Sequence, residues 1–420
     1  MKETGRGERP RVAVTGLGAV SSIGTGRRSF WEGLLAGRSG VGPIRSFDTS
    51  DYRVKIGGEV HGFRMEDFLP RREAGKYGRA SQLAIAAALL AVEDAGLPPA
   101  PPESPAAVLL GSTMGECREQ EAVMRAWHRG GPGQVRLRNL ARLPDSLLAC
   151  NVMSALGMGA SGAGPTGLWT TGCTFPTACA AGNYAISYAY ELIRRGDVSV
   201  ALAGGCDAFS ELAFAGFGRL MNLARQKCQP FDKNRTGIVI GEGAGILVLE
   251  SLEHVRARGG RIYAELLGYG MSCDAHHMTI PHVDGVTAAM EAALEDAGVA
   301  PAGVSFVSTH GTGTRMNDKT ECQALRRVFG NRMEHIPVNA VKSMLGHTMG
   351  AASALAAIGC ALTVHEGRIP PTINFETADE ECPVDCVPNT MREQPVEIAM
   401  NNAYAFGGNN CVTVFARFES

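Results

Sequence analysis

The chain has 420 residues, 45% of them hydrophobic and 20% charged, so it is long enough for about two or three domains or two fused halves. Its formal net charge of -2 argues against a broad nucleic-acid-binding surface. The twelve cysteines are scattered singly, which indicates reduced thiols rather than a disulfide framework.

The N-terminal segment begins with nine polar residues that lack the apolar core of a signal peptide. No run of about eighteen uncharged apolar residues follows, so we expect a cytoplasmic protein without a membrane span. Residues 11–18 are typical of a short buried strand ending in a glycine turn. Gly16 and Gly18 lack the third glycine of a dinucleotide fingerprint, which favours the turn over a nucleotide site.

Similar segments occur in the two halves of the chain. Residues 91–97, AVEDAGL, return as residues 293–299, ALEDAGV, each at the end of a predicted helix and before a proline and a strand. Two further helices, one after Cys179 and one after Gly350, both end in a glycine that fits a C-cap. These pairs predict an internal duplication, with chance similarity between alanine-rich helices as the alternative.

The segment between Met114 and Gly164 looks irregular, and it mixes arginines with methionines. Adaptable methionine side chains suit an apolar pocket, although they are also common in ordinary cores. We expect this segment to cap a site or to form a subunit interface.

Cys179 lies among small residues, in the run Thr-Ala-Cys-Ala-Ala-Gly, directly before a predicted helix. A thiol at such a strand-to-helix turn faces the N-terminal amides of the helix, which favour the thiolate. The pattern therefore predicts a nucleophile, while a buried structural cysteine is the alternative.

Two histidines accompany this cysteine in the second half. His310 follows a predicted strand, and His347 comes five residues after Lys342, just ahead of a predicted helix. By the duplication, His347 lies near the equivalent of Cys179, so the three side chains could meet in one pocket suited to acyl transfer through a thioester. Zinc binding is the alternative, but closely spaced ligand pairs are lacking and we expect no metal.

The loop at residues 401–410 is polar and rich in glycine, with Phe406 at its centre. Backbone N–H groups in such a loop can bind an oxyanion while the aromatic ring blocks a channel.

Together these motifs resemble the β-ketoacyl-acyl-carrier-protein synthases of the synthase I/II type, which act in fatty acid and type II polyketide pathways. The resemblance covers nearly the whole chain, and residues 177–179, 309–314 and 342–347 carry it. It implies an α/β, thiolase-like five-layer αβαβα fold built from two duplicated halves. The first half, 1–255, would hold the nucleophile, and the second, 256–420, the histidines and the gating loop.

The resemblance also implies a decarboxylating Claisen condensation. Cys179 would hold the acyl chain as a thioester, with its own backbone N–H and that of Phe406 binding the oxyanion. The two histidines would bind the malonyl thioester carbonyl and promote loss of carbon dioxide, and a lysine with an acidic partner would orient them. The implied catalytic residues are Cys179, His310, His347, Lys342 and Glu321.

Further residues follow from the same resemblance. Phe406, Gly407 and Gly408 would form the gate, and Thr312 and Thr314 would bind the substrate. The partner would be acyl-carrier protein in its acyl and malonyl forms, bound to a homodimer or a heterodimer, without cofactor, metal, nucleic acid or membrane. The acidic carrier would dock on cations, for which the candidates are Arg71, Arg72, Lys76, Arg79, Arg225 and Lys227.

Some positions depart from the family pattern. Pro176 precedes the nucleophile, and a proline in a central strand removes a ladder donor, so we expect an altered strand there. The dipeptide Gly164-Pro165 lies further upstream than its family counterpart. Ala405 and Asn409 replace the more usual glycine and threonine, which leads us to expect a less mobile gating loop.

Three other functions compete with condensation. A chain-length or scaffold subunit would lose the cysteine, which this chain retains. An acyltransferase would load Cys179 without decarboxylation. A Cys-His hydrolase would need an Asn or Asp to orient the histidine, and no such residue is identifiable.

Overall fold

The computed structural model of the protein describes residues 10–98, 106–158 and 171–419. The polar N-terminal segment, most of the proline-rich connection after Leu97 and the Gly164-Pro165 dipeptide lie outside the described residues.

The strands of the described residues are β1 (Val12–Ser21), β2 (Gly24–Thr25), β3 (Gly42–Pro43), β4 (Ile56–Gly57), β5 (Ala106–Gly111), β6 (Thr171–Phe175), β7 (Val200–Asp207), β8 (Gly243–Ser251), β9 (Ala264–Cys273), β10 (Phe306–Ser308), β11 (Val338–Asn339), β12 (Arg368–Ile369), β13 (Arg392–Glu393), β14 (Ile398–Tyr404) and β15 (Asn409–Ala416).

The α-helices of the described residues are α1 (Arg27–Leu35), α2 (Arg71–Ala74), α3 (Arg79–Ala95), α4 (Cys117–Gly130), α5 (Leu137–Leu140), α6 (Leu147–Ala155), α7 (Ala181–Arg194), α8 (Glu211–Arg219), α9 (Leu252–Arg258), α10 (Val283–Ala297), α11 (Arg315–Phe329), α12 (Lys342–Leu345) and α13 (Ala352–Glu366).

Two five-stranded sheets repeat one topology. Their strand orders are β6-β5-β7-β8-β1 and β11-β10-β14-β15-β9. In each sheet the first three strands are parallel, and the last two pair antiparallel with their neighbours. The sheets join where Val12–Val14 of β1 pairs with Ala264–Leu266 of β9. Equal order and equal strand direction establish that the two halves share one fold.

Helices form three layers around these sheets. The middle layer is α7 and α13, which contact each other and strands of both sheets. One outer layer contains α3, packed on β1 and β8, and the other contains α10, packed on β9 and β15. The arrangement is the five-layer αβαβα body that the resemblance implied.

Helix α13 explains the most apolar stretch of the chain. Met349–Glu366 is long and apolar enough, by length and composition, to cross a membrane, with a mean hydropathy of 1.2. However, 89% of this segment is buried inside the protein. Its apolar residues therefore pack between the two sheets.

Paired glycines fit the outer helices to the sheets. Gly16 and Gly18 lie inside β1 rather than in a turn, so the predicted glycine turn is wrong. A Cβ atom at Gly18 would lie 1.8 Å from the carbonyl oxygen of Ala87 in α3. Gly270 of β9 has the same relation to α10, where a Cβ would lie 2.2 Å from the oxygen of Ala289. These glycines allow each helix to approach its strand.

Two expectations about the first half are wrong. The segment after Met114 is not irregular, because its described residues contain α4, α5 and α6. Pro176, which precedes the nucleophile turn, does not interrupt a central strand. Among the described residues β6 is the last strand of its sheet and ends at Phe175, so Pro176 follows the ladder. The missing N–H of this proline therefore removes no hydrogen bond from the sheet.

Candidate active site

The nucleophile turn is a short 3₁₀ segment between β6 and α7. Ala178, in this turn, has a φ of 49°, which is rare for a residue with a side chain. Met349 has a φ of 53° in the equivalent turn before α13. Cys179 and Gly350, each one residue later, are therefore equivalent, and His347 lies three residues before Gly350.

The thiol of Cys179 is buried, with only 4% of the residue exposed. Burial raises its pKa to about 11, although the charge of Lys342 and the backbone N–H groups of Cys179 and Phe406 act to lower it. The helix N-terminus does not make Cys179 a resting thiolate, because desolvation is the larger effect. The two N–H groups face the sulfur. An acyl group attached to this sulfur would therefore have its oxyanion close to both of them.

His310 follows β10 and is held through its backbone and its ring. The ammonium group of Lys342 donates to the carbonyl oxygen of His310 at 2.5 Å and lies 3.4 Å from its Nδ1. Burial, followed by the charge of Lys342, lowers the pKa of His310 well below its usual value. His310 is therefore neutral, and a donor at Nδ1 leaves the ring proton on Nε2.

His347 is oriented by the turn that begins α13. The backbone N–H of Met349 donates to its Nδ1 at 3.1 Å, so the ring proton again lies on Nε2. Burial and the charge of Lys342 lower its pKa well below the usual value. The rings of His310 and His347 are nearly perpendicular, with centroids 5.7 Å apart. The site thus holds two neutral imidazoles, and no acceptor for either Nε2–H group is found among the described residues.

Glu321 supports the His310 loop directly. Its carboxylate accepts from the backbone N–H groups of His310 at 2.8 Å and Gly311 at 2.9 Å. Burial raises its pKa to about 7, although these two N–H groups lower it. Among the described residues no ion pair joins Glu321 to Lys342, so Glu321 contacts the loop rather than pairing directly with the lysine. Burial also lowers the pKa of Lys342.

A cavity of about 430 Å³ brings the predicted residues together. Cys179, His310 and His347 line it, as do Thr312 and Thr314. The two threonine hydroxyls lie 2.9 Å apart. Lys342 and Glu321 lie behind this surface, which suits groups that act through the histidines.

The gating loop closes one side of the cavity. Phe406 lines it and stacks on Phe217 with ring centroids 5.6 Å apart. Gly407 and Gly408 have φ values of 79° and 78°, in the region that favours glycine. Ala405 is extended, with a φ of -133°, so this conformation needs no glycine at that position.

The six cations expected to dock a carrier protein have different surroundings. Arg79 is not available, because its guanidinium pairs at 2.8 Å with the buried carboxylate of Glu242. Its assignment as a docking residue is therefore wrong. None of the six lines the cavity, whereas the exposed Arg315 does. The sequence signal for Arg315 was its place directly after Thr314, one of the two threonines that we expect to bind the substrate.

Sequence reasoning also missed two buried carboxylates. Asp318 accepts from the backbone N–H groups of Thr312 at 3.1 Å and Gly313 at 3.2 Å, which fixes the loop after His310. Asp207 ends β7 and contacts the turn before α13. The available signal for Asp318 was its place one helical turn after Thr314; for Asp207, it was the end of a buried strand.

Comparisons with known proteins identify the family of this chain. The models for the N-terminal and C-terminal domains of β-ketoacyl synthases match residues 9–255 and 263–376. A 3-oxoacyl-(acyl-carrier-protein) synthase 2 from Synechocystis sp. is 37% identical over 422 residues, covering 98% of this chain and 99% of the relative.

Two solved structures are also similar over 98% of this chain and 100% of their own. The ishigamide ketosynthase/chain length factor has a TM-score of 0.92 and 44% identity. A ketosynthase bound to the hexaketide, in complex with its type II polyketide synthase acyl-carrier protein, has a TM-score of 0.88 and 30% identity. The chain thus belongs to the β-ketoacyl synthase family, whose members are ketosynthases, enzymes of the acyltransferase type.

Proposed function

We propose that this ketosynthase condenses an acyl thioester held on Cys179 with malonyl-acyl-carrier protein, giving a β-ketoacyl-acyl-carrier protein in fatty acid or polyketide biosynthesis. One observation carries the proposal. Cys179, His310 and His347 line one cavity, where two backbone N–H groups face the sulfur and both imidazoles are neutral.

The first half-reaction loads the enzyme. The sulfur of Cys179 attacks the carbonyl carbon of an acyl-carrier thioester, and the N–H groups of Cys179 and Phe406 stabilise the oxyanion. The carrier thiolate leaves and takes up the proton that Cys179 loses. Burial raises the pKa of the Cys179 thiol to about 11, which makes this deprotonation costly. The positive charge of Lys342 lowers that cost.

The second half-reaction forms the carbon–carbon bond. The Nε2–H groups of His310 and His347 donate to the carbonyl oxygen of the malonyl thioester, on which negative charge develops as carbon dioxide leaves. The resulting enolate attacks the acyl carbon on Cys179, and the cysteine leaves as a thiolate that takes up a proton. The carbanion comes from decarboxylation, so the reaction needs neither a metal nor an organic cofactor.

Lys342 and Glu321 act as positioning groups in this scheme. Lys342 holds the carbonyl and ring of His310, and its charge adds to burial in lowering the pKa of both histidines. Glu321 fixes the same loop by accepting from two of its backbone N–H groups. The neutral form fits this geometry, because Nδ1 of each ring faces a donor, Lys342 or the N–H of Met349, and protonation of Nδ1 would remove that hydrogen bond.

Substrate entry involves the loop and the threonines. Phe406, Gly407 and Gly408 form the gate that admits the acyl chain before the malonyl group. Thr312 and Thr314 bind the arm that carries the thioester, as their place in the cavity supports. The carrier protein docks on surface cations, for which we retain the exposed Arg71, Arg72, Lys76 and Arg225 and the half-buried Lys227, which pairs with Glu376. The related ketosynthase solved with its acyl-carrier protein supports this partner.

The assembly is proposed to be a homodimer that forms through β6, the last strand of its sheet among the described residues. The exposed residues Thr171 and Gly172 on that strand, and Tyr188 beside it, support this surface. A heterodimer is the alternative, since a similar solved structure is a ketosynthase with a chain length factor. We place the boundary between the halves at 255/256, supported by the repeated strand order. We also propose a cytoplasmic location, which the twelve free cysteines support.

Intact-mass analysis with acyl-carrier and malonyl-carrier thioesters tests the function. We expect acylation of Cys179, release of carbon dioxide and a β-ketoacyl carrier product. Cys179→Ala should abolish acylation, and His310→Ala should retain acylation but lose condensation. Label on Cys179 without decarboxylation would favour an acyltransferase, and condensation by Cys179→Ala would refute the proposed mechanism.

A further inference from the structure

Asp207 makes four hydrogen bonds from a fully buried position at the end of β7. One oxygen accepts from the hydroxyl of Ser112 at 2.7 Å and the N–H of Met114 at 2.9 Å. The other accepts from the N–H of Thr113 at 2.8 Å and the N–H of Gly350 at 2.6 Å. A single carboxylate thus joins a loop of the first half to a turn of the second.

No cation balances this charge among the described residues, where no ion pair to Asp207 is found. A buried carboxylate without a counterion is costly unless donors surround it, so these four bonds are what makes the ionised form tolerable. Burial still raises the pKa of Asp207 to about 6. A polar group of this kind is expensive to keep, and its contacts suggest what it does.

The contacts lead directly to the catalytic residues. Gly350, which donates to Asp207, is next to Met349, whose N–H orients the ring of His347. On the other side, the N–H of Ser112 donates at 3.1 Å to the carbonyl of Phe175, at the end of the strand that leads to the nucleophile. Asp207 therefore lies between the supports of His347 and Cys179.

Glycine is needed where these segments meet. A Cβ atom at Gly350 would lie 2.6 Å from Cα of Ser112 and 2.8 Å from a carboxylate oxygen of Asp207. A Cβ at Gly205 would lie 2.2 Å from the carbonyl oxygen of Gly350. Strand β7, the loop at Ser112 and the turn before α13 can therefore approach this closely because these two positions are glycine.

The duplication gives this contact a meaning. Gly350 is the equivalent of Cys179, whose N–H faces the place of the substrate oxyanion. In the turn before α13 the corresponding N–H is that of Gly350, and it donates to a carboxylate oxygen of Asp207. Asp207 itself corresponds to Ala405, because each lies opposite the first residue of the next strand, Gly243 or Asn409. The turn before α13, which carries no nucleophile, thus binds a carboxylate of the protein at the position where the turn before α7 would bind the substrate oxyanion.

We propose that Asp207 is a positioning residue of the condensing site, whose carboxylate locks the Ser112–Met114 loop to the turn before α13 and so fixes His347 relative to Cys179. The proposal rests on the condensation described above, for which it adds a residue that touches no substrate. The charge of Asp207 also acts on the nucleophile, where it raises the pKa of the Cys179 thiol.

The experiment uses Asp207→Asn, which keeps the size of the side chain but removes the charge and one acceptor. The matched control is Glu59→Gln, because Glu59 is also a buried carboxylate that accepts two backbone N–H groups, from Arg45 and Ser46. Ser112→Ala is the milder variant, since it removes one donor to Asp207 and leaves the carboxylate. Thermal unfolding establishes that each variant is folded.

Two readouts separate positioning from mere structure. Decarboxylation of malonyl-carrier protein should fall about ten- to a hundredfold in Asp207→Asn, the cost of losing a hydrogen bond to a charged group, with KM nearly unchanged. Ser112→Ala should show a smaller loss of the same kind, and Glu59→Gln none. The rate at which iodoacetamide alkylates Cys179 is measured by intact mass as a function of pH. This pH profile should shift to lower pH in Asp207→Asn.

The thiols of Cys117, Cys179 and Cys206 all respond to the charge of Asp207, so peptide mapping must assign the alkylated residue. Wild-type decarboxylation in both Asp207→Asn and Ser112→Ala would overturn the proposal, as would an unchanged alkylation profile in Asp207→Asn. If the wild-type protein itself released no carbon dioxide, the proposed function would fail, while the alkylation profile would still report on the link between Asp207 and Cys179.

Discussion

Cys179 and Gly350 occupy the same position in two equivalent turns, each one residue after a non-glycine residue with positive φ. Each turn leads into one of the two central helices, which contact each other between the sheets. The duplication therefore brings two helix N-termini to one place. One supplies the nucleophile, and the other supplies the support for His347.

Replacement of Lys342 by alanine should change the pH dependence of decarboxylation. The lysine charge lowers the pKa of His310 and His347, so its removal raises both values. Since the neutral rings are the active forms, protonation should abolish activity at a higher pH than in the wild type. We expect the acid limb of the pH–rate profile to move to higher pH, with a lower maximal rate.

The same variant should slow alkylation of Cys179, because the lysine charge also lowers the thiol pKa. Lys319→Ala is the matched control, since this partly exposed lysine of α11 pairs with Glu381. An acid limb that stays in place in Lys342→Ala would contradict the assigned role.

The gating loop should depend on Gly407 but not on a glycine at position 405. Alanine at Gly407 would have to adopt a φ of 79°, which costs about 1–2 kcal/mol relative to glycine. We expect Gly407→Ala to disfavour the loop conformation seen here and to change the alkylation rate of Cys179 several-fold. Ala405→Gly should change kcat less than about twofold, because Ala405 is already in an extended conformation. A large gain from Ala405→Gly would show that the alanine restricts the gate.

Much of the fold was predictable from local patterns. The repeated AVEDAGL and ALEDAGV segments end α3 and α10, where Gly96 and Gly298 adopt left-handed conformations with φ values of 67° and 64°. The motifs around Cys179, His310 and His347 identified the side chains that share the cavity. Such features are local, because a cap or a strand-end loop depends on neighbouring residues.

Other features depend on contacts between distant segments. The pKa of Cys179 could not be predicted from its helix N-terminus, since burial by both halves has the larger effect. Pairing of Arg79 with Glu242 joins residues 163 positions apart, so the sequence showed only a surface-like arginine. Asp207 was missed for the same reason, because its donors come from two other parts of the chain.

Stability should depend on pH through Glu321. Burial raises its pKa in the folded protein to about 7, whereas an unfolded glutamate titrates near about 4.3. Between these values the folded state binds more protons than the unfolded state, so this carboxyl makes stability fall as pH rises. Glutamine does not titrate, and the free energy of unfolding of wild type minus that of Glu321→Gln should decrease from about pH 4.5 to about pH 7.

Chemical denaturation of both proteins across this range measures the difference. Glu93→Gln is the control, since Glu93 is exposed on α3. A difference that increases with pH would mean that Glu321 is stabilised in its ionised form.

Assembly should depend on Tyr188, which lies on α7 with 44% of its surface exposed. Its ring packs on Phe175 at the end of β6, with centroids 5.5 Å apart, so it lies beside the strand that forms the edge of the sheet in the described part of the chain. A charge placed there would be desolvated by a subunit paired through β6, which is costly.

Native mass spectrometry should therefore find the wild type at twice the 44.3 kDa mass of one chain and Tyr188→Glu mainly as a monomer. Met221→Glu, at a residue 87% exposed on another surface, should remain dimeric. A monomeric wild type that gains mass only with a second type of subunit would support the heterodimer, and a dimeric Tyr188→Glu would exclude this edge as the interface.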